Sequence, residues 1–238
     1  MPCMCLLPKT LMNMIITYLR LWPALLALGV QCTFVVPAIH AQQFAPVPPP
    51  APGRSSTPVK PLSHAALVAE LKRGGYTIYI RHTSTDFTRD DVKSRSDDDC
   101  DNQRPLTDKG RDEARRMGAD MKQAGFPISE VLASPRCRTV EVAKLAFGGY
   151  KLAEEVRGGA VTVQPVERYA PLVAWFKQGP GKGRNRVIVS HGNPFYATAG
   201  APYLAEGEAA VVRPLGKDFE VIARVRWDGW GASPGEKP

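Results

Sequence analysis

Two short runs of β-branched and aromatic residues in this sequence each lead to a histidine. The run Tyr76–Ile80 leads through Arg81 to His82, and the run Arg186–Ser190 leads to His191. Runs of this composition and length predict buried β-strands. A fold that pairs these strands in one direction would bring two imidazole groups to the same edge of a sheet.

Helical patterns separate the predicted strands. Helices are expected from Ser63 to about Arg73, from Thr107 to about Ala124, from Pro135 to about Phe147, over Ala170–Lys177 and after Pro194, and further strands over Val131–Ser134, Val161–Val166, Ala209–Val212 and Phe219–Val225. This alternation predicts an α/β domain, a three-layer α/β/α sandwich with a mostly parallel central sheet. The last two strands are expected to form a hairpin. In such sheets, ligands bind outside the carboxyl ends of the strands.

The first 41 residues have the order of a secretory signal. Basic Lys9 and Arg20 precede the apolar stretch Leu21–Ile39, and Ala41 supplies a small residue at the expected cleavage point. About 20 apolar residues can also span a bilayer, so a permanent membrane anchor is the alternative. Proline, glycine and polar residues interrupt the stretch and favour cleavage. We therefore expect residues 1–41 to be a signal peptide of an exported protein, periplasmic or secreted, with no stable membrane span after cleavage.

A proline-rich segment follows the predicted signal. Residues 45–61 read APVPPPAPGRSSTPVKP, which lacks the apolar content of a core and favours extended backbone. We expect residues 42–61 to be a linker and residues 62–238 to be one folded domain. The formal net charge of +8 comes from scattered basic residues. It indicates a mildly cationic surface for an anionic partner and does not indicate a nucleic-acid site.

Signal cleavage would simplify the count of cysteines and histidines. It would leave only Cys100 and Cys137 in the exported part, and an even pair in an oxidising compartment suggests one disulfide. Two unrelated thiols are the alternative, because the sequence does not establish the closeness that a disulfide requires. His64 falls in the first turn of a predicted helix and is expected at the surface. His82 and His191 are then the histidines that remain for chemistry.

Arginines are predicted at the same edge of the sheet as these two histidines. A third predicted strand, Val131–Ser134, is followed by Arg136 and Arg138. Taken singly, a histidine at a strand end or an arginine in a loop is usually structural. Together, two imidazoles and two arginines suit a tetrahedral dianion, because the N–H groups of a guanidinium match phosphate oxygens in pairs.

Four motifs, in chain order, resemble those of the histidine phosphatase superfamily, the phosphoglycerate mutase-like proteins. The segment Arg81–Thr85 is similar to the family's Arg-His-Gly motif with a threonine two residues further on, except that Thr83 replaces the glycine. The segment Leu106–Arg111 resembles the motif that opens a helix. The segments Ser134–Arg138 and Ser190–Asn193 resemble those that supply the second arginine and the second histidine.

The resemblance implies a mechanism. His82 would attack phosphorus and become a phosphohistidine, while Arg81, Arg138 and His191 would stabilise the charge on the transferred phosphoryl group. It also implies Thr85 as a phosphate-binding residue. No metal or other cofactor is expected, because the cationic side chains would neutralise the phosphate.

The proton donor for the leaving group has three candidates. Glu167 lies between the second arginine and the second histidine in chain order, where the mutase-type members carry their acid, and we prefer it. Glu206 and Glu208, at the start of a later strand, are the alternatives.

Four aspartates have the spacing of a calcium-binding loop, namely Asp97, Asp99, Asp101 and Asp108. Asn102 stands at the position of that loop's glycine, Pro105 lies inside the loop, and no helix is predicted before it. We therefore expect a solvated loop at the rim of the pocket and no metal site.

These features predict a histidine-type phosphatase of the cell envelope, a phosphomonoester hydrolase that acts on a phosphorylated small molecule or an envelope phosphate ester. A phosphoglycerate mutase-type phosphotransferase would use the same pocket, but export argues against a role in central metabolism. A catalytically impaired module that binds phosphate esters is the other alternative, because Thr83 departs from the family motif.

Overall fold

The computed structural model describes residues 62–158 and 166–231. The predicted signal peptide, the predicted linker, residues 161–165 of a predicted strand and residues 232–238 lie outside the described residues. All of the described residues fall within the unit Ala45–Pro238. None of the helices in this part of the chain is long and apolar enough to cross a membrane.

A six-stranded sheet forms the centre of the described domain. Its strands are β1 (Thr77–Arg81), β2 (Ile128–Ala133), β3 (Lys151–Leu152), β4 (Asn185–Ser190), β5 (Glu208–Pro214) and β6 (Phe219–Arg226). Their order across the sheet is β3-β2-β4-β1-β5-β6. Strands β1 to β4 are parallel, and β5 and β6 form an antiparallel hairpin at one edge. The predicted hairpin and mostly parallel sheet are confirmed.

Helices cover both faces of this sheet. They are α1 (His64–Arg73), α2 (Asp108–Gln123), α3 (Cys137–Phe147), α4 (Ala170–Gln178) and α5 (Gly192–Ala199), with short 3-10 helices at Cys100–Asn102, Glu154–Val156 and Val166–Tyr169. Alternate residues of β1 pack on opposite sides: Ile78 and Ile80 join a core with α1, α2 and α3, whereas Tyr79 joins a second core with α4 and α5. The three-layer α/β/α class is therefore confirmed.

The loop after β1 packs tightly against the start of α2. The Thr107 side chain caps α2 by accepting a hydrogen bond from the Gly110 backbone N–H at 3.0 Å. A Cβ atom added to Gly110 would lie 2.1 Å from the carbonyl oxygen of Ser84, so only glycine allows this approach. The glycine of the helix-opening motif therefore fixes the position of the chain that follows His82.

Several predicted element boundaries differ from the structure. The helix expected after Pro135 begins at Cys137, because Arg136 keeps extended backbone with φ −63° and ψ 140°. Val166, the last residue of the predicted strand over 161–166, begins a 3-10 helix. The short strand β3 was not predicted from the sequence, because it contributes only two exposed residues to the sheet.

A disulfide joins Cys100 to Cys137, with 5.6 Å between their Cα atoms. Cys100 lies in the long segment between β1 and α2, at the start of its 3-10 helix, and Cys137 is the first residue of α3. The bond therefore fastens that segment beside the residues that follow β2.

Candidate active site

The parallel pairing of β1 with β4 brings the two histidines together. Arg81 is aligned with Ser190, so His82 and His191 are the next residues of adjacent strands. Their ring centroids are 5.5 Å apart, and the two side chains are 2% and 6% exposed. The structure thus forms the pair of imidazoles that the sequence predicted.

The hydrogen bond of His82 defines its tautomer. Its Nδ1 atom is 3.1 Å from the carbonyl oxygen of Thr83, and a carbonyl oxygen only accepts, so Nδ1 carries the proton. The lone pair is then on Nε2. Burial, with the positive charge of Arg138 and the neighbouring His191, holds the pKa of His82 well below 6.5. The imidazole is therefore neutral at neutral pH, which is the form that can act as a nucleophile.

His191 is held by three contacts. Its Nε2 atom is 3.0 Å from the hydroxyl of Ser134, and its carbonyl oxygen accepts a hydrogen bond from Tyr79 at 2.7 Å. The backbone of Gly158 lies against the ring, because an added Cβ there would be 2.7 Å from Cδ2 of His191. Burial, with Arg138 and other guanidinium groups, also holds the pKa of His191 well below 6.5.

Arg81 and Arg138 are held by acceptors of the protein. Arg81 donates to the carbonyl oxygen of Leu204 at 2.7 Å and lies 3.6 Å from a carboxylate oxygen of Glu206. Both terminal nitrogens of Arg138 contact Asp91 at 3.0 Å. Burial lowers the pKa of both arginines, but a guanidinium group stays protonated in proteins. Two fixed guanidinium groups therefore flank the histidine pair.

Thr83 fits its position without strain. Its hydroxyl donates to the carbonyl oxygen of Gly110 at 2.7 Å, and the residue is fully buried. No residue other than glycine among the described residues has a positive φ. The site therefore does not need a glycine at position 83, and the threonine ties the His82 loop to α2.

The structure brings Glu206, and not the preferred Glu167, close to the histidines. A carboxylate oxygen of Glu206 is 3.9 Å from Nδ1 of His82. Thr85, the predicted phosphate-binding residue, donates both its N–H and its hydroxyl to Glu206 at 3.0 and 2.7 Å. Glu208 instead contacts Arg224 at 2.8 Å. Glu167 is exposed on a 3-10 helix, and none of the contacts within the described residues links it to His82.

Three further residues around the site were not singled out from the sequence. Glu113, in the first turns of α2, accepts hydrogen bonds from the backbone and hydroxyl of Ser84. Asp91 contacts Arg138, and Arg104 lies 3.9 Å from Glu206. For Arg104 the available signal was its place two residues before the helix-opening motif. Asp91 is one of several aspartates in an irregular loop, so nothing in the sequence distinguished it.

The aspartate-rich loop contacts the rim of the site. Asp97 accepts from Arg157 at 2.8 Å and lies 3.4 Å from Arg136, so it connects two strand-end loops. Within residues 62–158 and 166–231, no group of three or more histidine, cysteine or acidic residues could hold a metal ion.

Part of the chain matches the sequence model of a known protein family. Residues 77–157 match the sequence model of the histidine phosphatase superfamily (branch 1). The resemblance to this superfamily is confirmed. The histidine phosphatase match begins at β1 and ends one residue after the Glu154–Val156 helix, so it includes His82 and Arg138 but not His191. Comparison with curated proteins finds no significant match.

Solved structures with a similar fold include several phosphatases. The protein histidine phosphatase SixA complexed with tungstate is 21% identical, with 64% of this chain and 97% of that chain covered and a TM-score of 0.45. A putative alpha-ribazole-5'-P phosphatase from Escherichia coli is 16% identical, with 61% of this chain and 94% of that chain covered and a TM-score of 0.46. A mutant phosphoserine phosphatase from Entamoeba histolytica in complex with phosphoserine is 14% identical, with 65% of this chain and 98% of that chain covered and a TM-score of 0.45.

The low pKa values of the two histidines predict a pH-dependent stability. As pH falls below the unfolded value of about 6.5, the unfolded chain binds protons that the buried imidazoles of His82 and His191 do not. The free energy of unfolding should therefore decrease between pH 7.5 and 5.5. Replacing either histidine with glutamine should flatten this decrease, by up to about 1.4 kcal/mol per pH unit. Urea unfolding at several pH values measures it, and equal slopes for the parent and both variants would contradict the prediction.

Proposed function

We propose that this protein is a phosphomonoester hydrolase that acts through a phosphohistidine on His82. The observation that carries the proposal is the neutral, fully enclosed His82, whose Nδ1 is bound by Thr83 and whose Nε2 remains for attack. Members of the superfamily that matches this segment are phosphatases and phosphotransferases. The guanidinium groups of Arg81 and Arg138 supply the positive charge that a phosphate dianion needs.

The proposed reaction has two steps. Nε2 of His82 attacks phosphorus in line, a P–N bond forms, and the bond to the leaving oxygen breaks with its electron pair staying on that oxygen. Arg81, Arg138 and His191 stabilise the charge on the phosphoryl oxygens. Water then attacks the phosphohistidine and releases phosphate, and the electron pair of the P–N bond returns to Nε2.

Replacing the proposed nucleophile tests this function. His82→Ala should lower the hydrolysis of an aryl phosphate by about three orders of magnitude or more, because the variant lacks the imidazole that forms the proposed phosphoenzyme. The full-length protein and the variant are assayed in buffer containing a chelator. The matched control is His64→Ala, because His64 lies on α1 and not beside His82 and His191. Circular dichroism verifies that each variant is folded.

Other results of this assay would favour other functions. A labelled enzyme that passes its phosphoryl group to phosphoglycerate, and not to water, would support a mutase. Binding of phosphate without labelling or release would support a binding module. Activity that disappears on chelation and returns with a divalent metal would overturn the proposal that the arginines alone neutralise the phosphate.

Glu206 and Glu167 have different roles in the proposed mechanism. Glu206 contacts His82 on the Nδ1 side, whereas a leaving oxygen in line with Nε2 lies on the opposite side of the ring. The N–H and hydroxyl of Thr85 also occupy both carboxylate oxygens of Glu206, and Arg81 lies 3.6 Å from one of them. We therefore propose Glu206 as a positioning residue for His82, Thr85 and Arg81, and retain Glu167 as the proposed proton donor.

Substrates with different leaving groups separate these two roles. Glu167→Gln should lower turnover by about a hundredfold or more for an alkyl phosphate, a poor leaving group, but have little effect on a nitrophenyl phosphate. Glu206→Gln should lower turnover of both substrates by similar factors, about tenfold to a hundredfold, because it displaces the nucleophile. Glu220→Gln on β6 is the control. A loss confined to the poor leaving group in Glu206→Gln would show that Glu206 is the acid.

We also propose that the protein is exported and loses residues 1–41. The Cys100–Cys137 disulfide supports this proposal, because disulfides persist in oxidising compartments. Cleavage would remove the three cysteines Cys3, Cys5 and Cys32. The protein recovered from the cell envelope or medium should then show no free thiol when denatured without reductant and two thiols after reduction. Three free thiols before reduction would mean that the signal is retained, and two would mean that the disulfide is absent.

A further inference from the structure

Three arginines near the histidine pair each leave one buried nitrogen without a partner. Among the buried side-chain atoms of the described residues, the Nε atoms of Arg81, Arg104 and Arg138 form no hydrogen bond within the protein. A buried donor of a charged group that stays unpaired destabilises the folded protein, and by more than an unpaired neutral donor does. Three such donors around one site point to an acceptor that the protein itself does not supply.

The opposite ends of the three guanidinium groups are held in place. Arg81 and Arg138 are fixed by the carbonyl oxygen of Leu204 and by the carboxylate of Asp91. The terminal nitrogen of Arg104 is 3.9 Å from Glu206, its guanidinium carbon lies 4.6 Å from the centre of the Phe87 ring, and its backbone N–H donates to Asp91 at 2.8 Å. The protein therefore fixes these guanidinium groups before any ligand binds.

Arg104 belongs to the same charged cluster as the expected phosphate-binding residues. A carboxylate oxygen of Glu206 lies within 4 Å of both Arg81 and Arg104. The same residue contacts His82. Arg104 is also among the groups that lower the pKa of His191, after burial and the nearer arginines. Its guanidinium group is therefore close enough to act on a ligand held between the histidines.

The charge balance of the site includes Arg104. The arginines around the histidines are Arg81, Arg104, Arg136, Arg138 and Arg157, and the carboxylates that contact them are Asp91, Asp97 and Glu206. These arginines outnumber the carboxylates that contact them, so the cluster has an excess of positive charge to which Arg104 contributes.

We propose that Arg104 is a third phosphate-binding arginine, whose Nε–H donates to an oxygen of the transferred phosphoryl group. This inference rests on the proposed function for the identity of the ligand. The three Nε donors of Arg81, Arg104 and Arg138 would then each find an acceptor among the oxygens of one phosphoryl group. A purely structural role as an ion pair with Glu206 explains less, because that pair uses a terminal nitrogen of Arg104 and leaves Nε unpaired.

Binding of inorganic phosphate and of orthovanadate to the full-length protein, measured by calorimetry, tests this proposal without requiring turnover. Arg104→Gln should weaken binding by about tenfold or more, because a hydrogen bond to a charged group contributes about 1.5–3 kcal/mol. Arg111→Gln is the matched control, since that part-exposed arginine is fully engaged by Asp108 and Glu141. It should change the affinity by less than about twofold. Parental affinity in Arg104→Gln would overturn the proposal.

A second variant keeps the test valid if Arg104→Gln does not fold. Arg104→Lys retains the positive charge beside Glu206 but lacks the planar Nε donor, so it should keep the thermal stability of the parent and still lose about threefold or more in affinity. Parental affinity in this variant would overturn the role of Nε.

The two proposals fail in different ways. A parent protein that binds phosphate but hydrolyses no ester would overturn the proposed function alone. A parent that hydrolyses esters, with Arg104→Gln equal to it in affinity and turnover, would overturn the role of Arg104 alone. A parent that neither binds phosphate nor hydrolyses esters would overturn both.

Discussion

The crowding of positive charge around two buried imidazoles is the constraint on which the rest of this site depends. Arg81 and Arg138 lie beside His82 and His191 at the ends of parallel strands, where burial already disfavours charge. Such an arrangement is stable only if carboxylates offset the guanidinium groups without neutralising them all. Burial and positive charge together keep the imidazoles neutral, so the same crowding that costs stability prepares His82 for attack.

The irregular segments of the domain supply those carboxylates. Asp91 and Asp97 come from the long segment between β1 and α2, and Glu206 comes from the turn before β5. The Cys100–Cys137 disulfide fastens the first of these segments to the start of α3, the helix that carries Arg138. The sequence of this loop resembles that of a solvated acidic stretch. In the structure, its carboxylates instead hold the arginines beside the two histidines in place.

What the sequence could predict follows from the range of the interactions. Local sequence patterns determine the strands, the helices and the position of a histidine directly after a strand. The α/β class and the pairing of His82 with His191 could therefore be predicted from the sequence. The roles of Asp91 and Glu206 depend on contacts across 47 and 121 residues of chain, which no local pattern records. Thr83 shows the same limit, since its fit depends on a carbonyl group of α2 that lies 27 residues away.

The hydrogen bond between Ser134 and His191 connects the strand ends to the proposed reaction. The Ser134 hydroxyl lies 3.0 Å from Nε2 of His191, so the residue that follows β2 orients this ring. In the proposed reaction, a neutral His191 would donate a ring N–H to a phosphoryl oxygen without first binding a proton. Entry of a dianion would offset the charge of Arg138 and raise the pKa of both histidines. The site would therefore hold neutral imidazoles before the substrate binds and tolerate a more basic His191 once it is bound, because the ligand itself supplies negative charge beside the arginines.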